Sequence, residues 1–150
     1  IITLLHNDII KLIPHRHPFL LIDKVTEIII NKSITGVKAV TFNEPHFPGH
    51  FPGHPVMPGV LILESMAQTA ACLVSYEAQS LSSNNLVFFT GIEKAKFRKP
   101  VTPGNELFLK IEIISNRQTL YKFNGEAFVK NKLVATSEFS AMLVGKEKAK

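Results

Sequence analysis

The sequence has little of several features that would point to other classes of protein. It has one cysteine, Cys72, which excludes an internal disulfide and suits a reducing compartment such as the cytoplasm. Charged residues make up 19% and hydrophobic residues 45%, a balance that excludes a disordered chain. Charges, prolines or glycines interrupt every apolar run before it reaches the length of a membrane span. The first residues lack the basic segment and the cleavage site of a secretory signal. These absences favour a cytoplasmic protein, and we expect its 150 residues to form a single domain over 1–150.

The charge of the chain is not balanced. The 17 basic and 12 acidic residues give a net charge of +5, which suggests an acidic partner. The sequence contains neither a nucleic-acid-binding motif nor a dense aromatic-basic surface, so nucleic acid is a distant alternative.

Two helices are predicted. From Pro58 to about Ala78 the residues are apolar on nearly all sides, which indicates a long buried helix. A polar loop from Ser80 to Asn85 follows it. A shorter helix is predicted from Asp8 to Ile13, with Asn7 as its N-cap.

The remaining patterns predict strands. A β-rich run from Leu21 to Thr41 turns at Asn31-Lys32, and apolar residues alternate with polar ones from Leu107 to Ile113 and again beyond it. Short connections favour antiparallel pairing. The sequence therefore predicts an α+β fold in which a sheet of about six antiparallel strands wraps one long helix.

The candidate site lies in residues 43–68, NEPHFPGHFPGHPVMPGVLILESMAQ. A loop stiffened by proline and glycine carries His50, and the apolar helix that follows carries Glu64 where its pattern calls for a hydrophobic residue. A histidine and a buried acid on rigid backbone are the minimum parts for paired general base and general acid catalysis.

Each of these residues also has a plainer explanation. His50 could be a loop histidine satisfied by the backbone, and Glu64 could pair with a basic residue or face solvent along a narrow stripe. Burial of Glu64 without such a partner would raise its pKa and keep a proton available for donation. Gln68, one turn later, could orient Glu64 or could be a polar residue that ends the buried stretch. Free N–H groups near Gly59, at the helix start, could hold an enolate oxygen, or this glycine could serve packing alone.

A metal site is not expected. His46, His50 and His54 recur every fourth residue, but this spacing aligns ligands only on a helix, and the prolines and glycines between them forbid one. Neither cysteines nor carboxylates complete a ligand set, so we expect no metal. Cys72 reads as a small buried residue in the long helix rather than as a nucleophile.

Three segments, PHRHPFLLID, residues 43–68 and GIEKAKFRKPVTPG, are similar in order and spacing to the (3R)-3-hydroxyacyl-[acyl-carrier-protein] dehydratases of type II fatty acid synthesis. The chain resembles this family over nearly its whole length. The resemblance implies the hot-dog fold, a long helix wrapped by a curved antiparallel sheet. It also implies dimers that assemble into hexamers as trimers of dimers, with the active site at the dimer interface, and formation of a trans-2-enoyl thioester without a cofactor.

The resemblance also implies roles for individual residues. His50 would be the catalytic base and Glu64 the catalytic acid, contributed by the neighbouring subunit. The N–H of Gly59 would bind the thioester oxygen, and the carbonyl of Val56 would orient the imidazole. Glutamate at position 64 favours a dehydratase over an isomerising relative that carries aspartate there, although weak isomerase activity stays open.

The implied acidic partner is the acyl carrier protein. Lys94, Lys96 and Arg98 alternate along a predicted strand, so they would share one face and dock this carrier, or they would form a solvated basic face. Phe88 or Phe89 would gate an apolar substrate tunnel, or both would be core strand residues.

Functions of other classes stay as alternatives. A thioesterase or a coenzyme A hydratase of the same fold is disfavoured by the HFPGH loop together with the distant Glu64. A non-catalytic acyl-binding module is disfavoured because a binder has no use for a buried acid.

Overall fold

In the computed structural model, residues 2–77 and 85–145 are described, and the statements below concern them. The elements in chain order are α1 (His6–Leu12), β1 (Lys24–Ile29), β2 (Ser33–Ala39), a short 3₁₀ turn (Phe47–Gly49), α2 (Gly59–Glu77), β3 (Asn85–Phe97), β4 (Glu106–Arg117), β5 (Leu120–Val129) and β6 (Lys132–Gly145).

The six strands form one sheet in the order β1-β2-β4-β5-β6-β3, and every neighbouring pair is antiparallel. The helix α2 contacts β2 through β6, so the sheet curves around it. This arrangement confirms the predicted α+β class, the number of strands and the long central helix.

Alternating burial explains how the sheet covers the helix. In β4, Leu107, Leu109 and Ile111 are fully buried, whereas Lys110 and Glu112 are exposed. Apolar side chains at every second position therefore face the core, as the period of two predicts.

Two glycines allow the sheet to approach α2 very closely. A Cβ atom on Gly36 of β2 would lie 2.6 Å from the Thr69 hydroxyl oxygen, and one on Gly125 of β5 would lie 2.7 Å from the Met66 sulfur. A side chain at either position would push the strand away from the helix, so these two positions set the tightness of the wrap.

The two hairpin turns contain residues with positive φ. Asn31 has a positive φ of 61° between β1 and β2, where a turn was predicted. Lys130 and Asn131 have φ values of 50° and 64° between β5 and β6. Positive φ at both central residues is the geometry of a tight hairpin that matches strand twist.

Two boundaries differ from the prediction, the start of α1 and the end of the polar loop. The helix α1 begins at His6, and Asn7 lies inside it, because the Asp8 carboxylate reaches back and accepts the Leu5 N–H at 3.0 Å; the predicted Asn7 cap is wrong. Residues 80–84 of the predicted loop lie outside the described residues, and Asn85 already belongs to β3.

The expectation that no apolar segment reaches membrane length is also corrected. By length and mean hydropathy, α2 could cross a membrane. Glu64 is its one charged residue before the last position, Glu77. However, 72% of its most apolar window is buried inside the fold. The sheet that wraps α2 therefore accounts for its apolar surface.

Candidate active site

The loop that carries His50 is anchored at two points before the histidine. Phe47 is fully buried in the core. The Lys38 ammonium, buried on β2, lies 2.5 Å from the Glu44 carboxylate, whose other oxygen accepts the Thr41 N–H at 2.9 Å. The loop is thus fastened to the sheet by a buried ion pair and an aromatic side chain.

The orientation of the His50 ring is fixed by Val56. Nδ1 of His50 lies 2.7 Å from the Val56 carbonyl oxygen, and the Val56 N–H donates back to the His50 carbonyl at 2.8 Å. A carbonyl oxygen only accepts, so Nδ1 carries the proton and Nε2 of the neutral ring keeps its lone pair. This tautomer is the one that a general base needs at Nε2.

His50 lines an open groove of about 460 Å³ that also includes Val56 and Gly59. The opposite wall is the segment 97–101 at and beyond the end of β3. A Cβ atom on Gly59 would lie 2.8 Å from the Phe97 ring, so glycine is needed here for close packing. Gly59 is also the first residue of α2, where backbone N–H groups lack helical partners and favour negative charge. Close packing therefore accounts for this glycine, and the binding of an oxygen by these N–H groups stays a prediction.

Glu64 lies elsewhere on α2. Among the described residues that line the His50 groove, Glu64 is not included. Its side chain is 18% exposed and lies against the N-terminal segment, with Oε2 3.6 Å from His15 Nε2. Burial raises the pKa of Glu64, and a hydrogen bond from Gln68 offsets part of that rise. The carboxyl is therefore biased towards its protonated form.

Gln68 is fully buried, and its amide is held at both ends. The Leu21 N–H donates to Oε1 at 2.9 Å, while Nε2 donates to the Phe19 carbonyl at 2.8 Å and to Glu64 Oε2 at 3.0 Å. Since Leu21 offers only a donor and Phe19 only an acceptor, the amide cannot be reversed without losing both bonds. A donor therefore faces Glu64.

Comparisons with known proteins show the family of this chain. The family profile described as FabA-like domain matches residues 13–138. The chain is 52% identical over 141 residues to a protein of Gluconobacter oxydans, and the match covers 92% of this chain and 83% of that protein. It is 51% identical over 139 residues to a protein of Thiobacillus denitrificans, and this match covers 91% of this chain and 95% of that protein. Both relatives are named 3-hydroxyacyl-[acyl-carrier-protein] dehydratase FabZ.

The chain belongs to the FabA-like family. The resemblance inferred from the three sequence segments is thereby confirmed.

Solved structures show the same fold. The dehydratase heterocomplex ApeI:P from Xenorhabdus doucetiae aligns with a TM-score of 0.80 at 17% identity, covering 94% of this chain and 93% of that chain. The PaaI protein of E. coli aligns with a TM-score of 0.58 at 13% identity, covering 79% and 80%. The expected hot-dog fold is confirmed.

The basic residues of this FabA-like chain do not alternate as predicted. The pairing of β3 with β6 shifts between Glu93 and Lys96, and Lys94, inside this bulge, has a φ of 53°. Its ammonium lies 3.3 Å from Glu138. The prediction that Lys94, Lys96 and Arg98 share one face by simple alternation is therefore wrong, since the bulge adds a residue. Of the three, Arg98 lines the His50 groove.

Phe88 and Phe89 lie on β3, outside the lining of the His50 groove. Phe88 is 48% exposed, and the half-buried Phe89 meets the core ring of Phe139 edge-on at 5.8 Å. Neither is a fully buried core residue, and the proposed gating role stays a prediction.

Neither a reactive thiol nor a cluster of metal ligands is found among the described residues. Cys72 is fully buried, and burial raises the pKa of its thiol to about 12, so it is a poor nucleophile. Within residues 2–77 and 85–145, no three histidine, cysteine or carboxylate side chains come together as a metal site.

Sequence reasoning missed two parts of the site. It did not assign His15, beside Glu64, or the wall of the groove formed by residues 97–101. Both lie in segments that carried the family resemblance, PHRHPFLLID and GIEKAKFRKPVTPG, and this was the available signal.

Proposed function

We propose that this chain is a cytoplasmic hydro-lyase that dehydrates (3R)-3-hydroxyacyl-[acyl-carrier-protein] to trans-2-enoyl-[acyl-carrier-protein] in fatty acid elongation, acting as one domain over residues 1–150. The observation that carries the proposal is the similarity to relatives named for this reaction over more than nine tenths of the chain. The tautomer of His50 and the raised pKa of Glu64 support the same reaction.

In this mechanism the reaction is a β-elimination of water. Nε2 of His50 takes a proton from C2 of the acyl thioester, and the N–H groups at the start of α2, near Gly59, stabilise the negative charge on the thioester oxygen. Glu64 gives its proton to the C3 hydroxyl. The C3–O bond breaks, water leaves, and the double bond forms between C2 and C3.

Gln68 and Val56 act as orienting residues. Because Oε2 of Glu64 accepts the Gln68 N–H, the proton for the leaving hydroxyl is on Oε1. The bond from His50 Nδ1 to Val56 stabilises the imidazolium that forms on proton uptake. No oxidation state changes in the net reaction, so no cofactor is required.

Two copies of the chain complete the site. Within one chain, the groove at His50 lacks Glu64, so the acid would come from Glu64 of the partner subunit. The strand β3 is an edge of the sheet and exposes Phe88, Ile92 and Phe97. An exposed apolar edge favours pairing with a second copy, and three such homodimers would form the hexamer. Light scattering of the purified protein tests this assembly.

The basic end of β3 would dock the acidic acyl carrier protein through Lys94, Lys96 and Arg98. Arg98 lines the groove, whereas Lys94 is already paired with Glu138. We expect Arg98→Glu to raise KM for the carrier-bound substrate more than Lys94→Glu, and added salt to raise KM of the wild type. Equal KM values at low and high salt and in both variants would place the docking surface elsewhere. Phe88 and Phe89 would border the acyl chain.

The decisive experiment is turnover of 3-hydroxyacyl-carrier protein, followed by mass spectrometry. His50→Ala and Glu64→Gln should each lose roughly 10²- to 10⁴-fold in kcat. His54→Ala is the matched control, because His54 is an exposed histidine of the same loop. Free fatty acid as the product would indicate a thioesterase, and tight acyl binding without turnover would indicate a binding module. Either result would refute the dehydratase.

A further inference from the structure

Glu64 has a second neighbour that the proposed mechanism does not use. Nε2 of His15 lies 3.6 Å from Glu64 Oε2, and the His15 side chain is 17% exposed. Gln68 approaches the same oxygen at 3.0 Å. Two nitrogen-bearing side chains, one from α2 and one from the segment after α1, therefore point at one carboxyl oxygen.

The backbone at His15 is firmly held. The Arg16 guanidinium donates to the carbonyl oxygens of Ile10 at 2.9 Å, Ile13 at 2.9 Å and His15 itself at 2.7 Å. These three bonds cap the C-terminus of α1 and fix the turn that follows it. The His15 ring stacks on Phe19, with 6.5 Å between ring centroids and 20° between planes. Its approach to Glu64 is therefore part of an ordered arrangement.

The protonation of the His15 ring follows from its surroundings. Burial lowers the pKa of His15, and the charge of Arg16 lowers it further, so the ring is neutral near neutral pH. Nδ1 is buried without a hydrogen-bond partner among the described residues. A proton there would be a buried unsatisfied donor, which is costly, whereas a proton on Nε2 faces the Glu64 oxygen. The favoured tautomer thus presents a donor to Glu64.

We propose that His15 is a positioning residue for the dehydration, whose Nε2–H acts with Gln68 on Oε2 of Glu64 to keep the transferable proton on Oε1. This inference rests on the proposed function. At 3.6 Å the contact is longer than a hydrogen bond, and it shortens when Glu64 becomes a carboxylate after donating its proton, since hydrogen bonds to a charged acceptor are shorter and stronger. His15 then stabilises the product side of the proton transfer.

The groups around this contact determine how its removal should change the pKa of Glu64. Glu64 faces His15 from α2, Arg16 adjoins it in its own segment, and Gln68 contributes a neutral amide. Removing the His15 donor should therefore raise the pKa of Glu64, because a donor to the carboxylate favours the ionised form.

The test compares His15→Phe with His15→Gln. Phenylalanine keeps an aromatic ring beside Phe19 but has no donor, whereas the glutamine amide can reach the position of Nε2. We expect His15→Phe to lower kcat roughly 10- to 100-fold, the size of a hydrogen bond to a charged group, with KM nearly unchanged. His15→Gln should restore most of kcat. If His15→Phe does not fold, His15→Asn replaces it, because its amide reaches only the position of Nδ1.

A second readout does not depend on turnover. Titration of the Glu64 carboxyl by NMR in ¹³C-glutamate-labelled protein, assigned with Glu64→Gln, should give a higher pKa in His15→Phe than in wild type, and a value near wild type in His15→Gln. An unchanged Glu64 pKa in His15→Phe would overturn the inference, as would equal losses of kcat in both variants. If the wild type yields no enoyl product, the proposed function fails by itself, and the titration still decides whether His15 acts on Glu64.

Discussion

Replacement of Gln68 by methionine tests the network that holds Glu64. Gln68→Met conserves volume on α2 but removes an amide that makes three hydrogen bonds. The Leu21 N–H and the Phe19 carbonyl lose their partner, and Glu64 loses its donor. The Leu21 bond is buried, so solvent cannot replace it easily.

The size of the effect follows from these unpaired groups. A buried backbone group left without a partner, such as the Leu21 N–H, costs about 1–3 kcal/mol, and the part-buried Phe19 carbonyl costs less, so the free energy of unfolding should fall by roughly 2–5 kcal/mol. At about 2–4 °C per kcal/mol for a chain of this size, the melting temperature should fall by about 4–20 °C. Thermal unfolding by circular dichroism measures this, at a fixed protein concentration because self-association would contribute to stability.

Ser75→Ala is the matched control. Ser75 is buried on the same helix, but its hydroxyl has no hydrogen-bond partner among the described residues. Its removal should therefore leave the melting temperature unchanged or raise it. The reasoning is refuted if Gln68→Met melts within about 1 °C of Ser75→Ala, because unpaired backbone groups would then carry no measurable cost.

Three further substitutions test other parts of the structure. Burial raises the pKa of Glu64 above its unfolded value, so its contribution to stability is complete below the unfolded pKa and is lost as pH rises through the folded pKa. Glu64→Gln should therefore be more stable than wild type in urea at about pH 8 but not at about pH 4, and an equal difference at both would contradict this. Lys38→Met leaves Glu44 without its buried partner and should lower the free energy of unfolding in urea by about 3 kcal/mol. Adding Glu44→Gln should recover part of this loss. A double variant no more stable than Lys38→Met would contradict the pairing. Gly59→Ala should raise KM, because the added methyl group displaces the Phe97 ring in the groove. The free energy of unfolding should change by about 1 kcal/mol or less, because that ring is half exposed and can move. An unchanged KM would contradict this.

The fold was predictable wherever one pattern ran long enough. The period of two from Leu107 to Ile113 appears as alternating burial in β4, and the continuous apolar stretch after Pro58 appears as α2, buried on most sides. The ends of helices were not predictable in the same way, because side chains there compete for the free backbone N–H groups. Asp8 captures the Leu5 N–H and moves the start of α1, a choice that depends on side-chain reach rather than on periodicity.

The bulge in β3 shows a second limit. Alternation along a strand assumes a regular ladder, and the extra residue near Lys94 breaks that ladder without a glycine or proline to announce it. The shared face of the three basic residues was therefore predicted wrongly, and their role in docking stays a prediction.

The candidate site was also predictable only in part. His50 and Glu64 were visible because each departs from its local pattern, a histidine framed by prolines and glycines and an acid in an apolar helix. The contact between His15 and Glu64 joins positions 49 residues apart, and the pairing of Gln68 with Leu21 joins positions 47 apart. No periodicity encodes such pairs, because the fold alone brings them together.

The raised pKa of Glu64 affects both the stability of the fold and the proposed chemistry. Burial that makes the ionised carboxylate unfavourable lowers stability at high pH and also keeps the proton that the elimination uses. The pH dependence of kcat/KM reports groups of the free enzyme, which is the same state that unfolding experiments compare. One inflection of kcat/KM should therefore coincide with the pH at which the stability of wild type stops falling relative to that of Glu64→Gln. If the two differ by more than about one pH unit, Glu64 is buried for a reason other than acid catalysis.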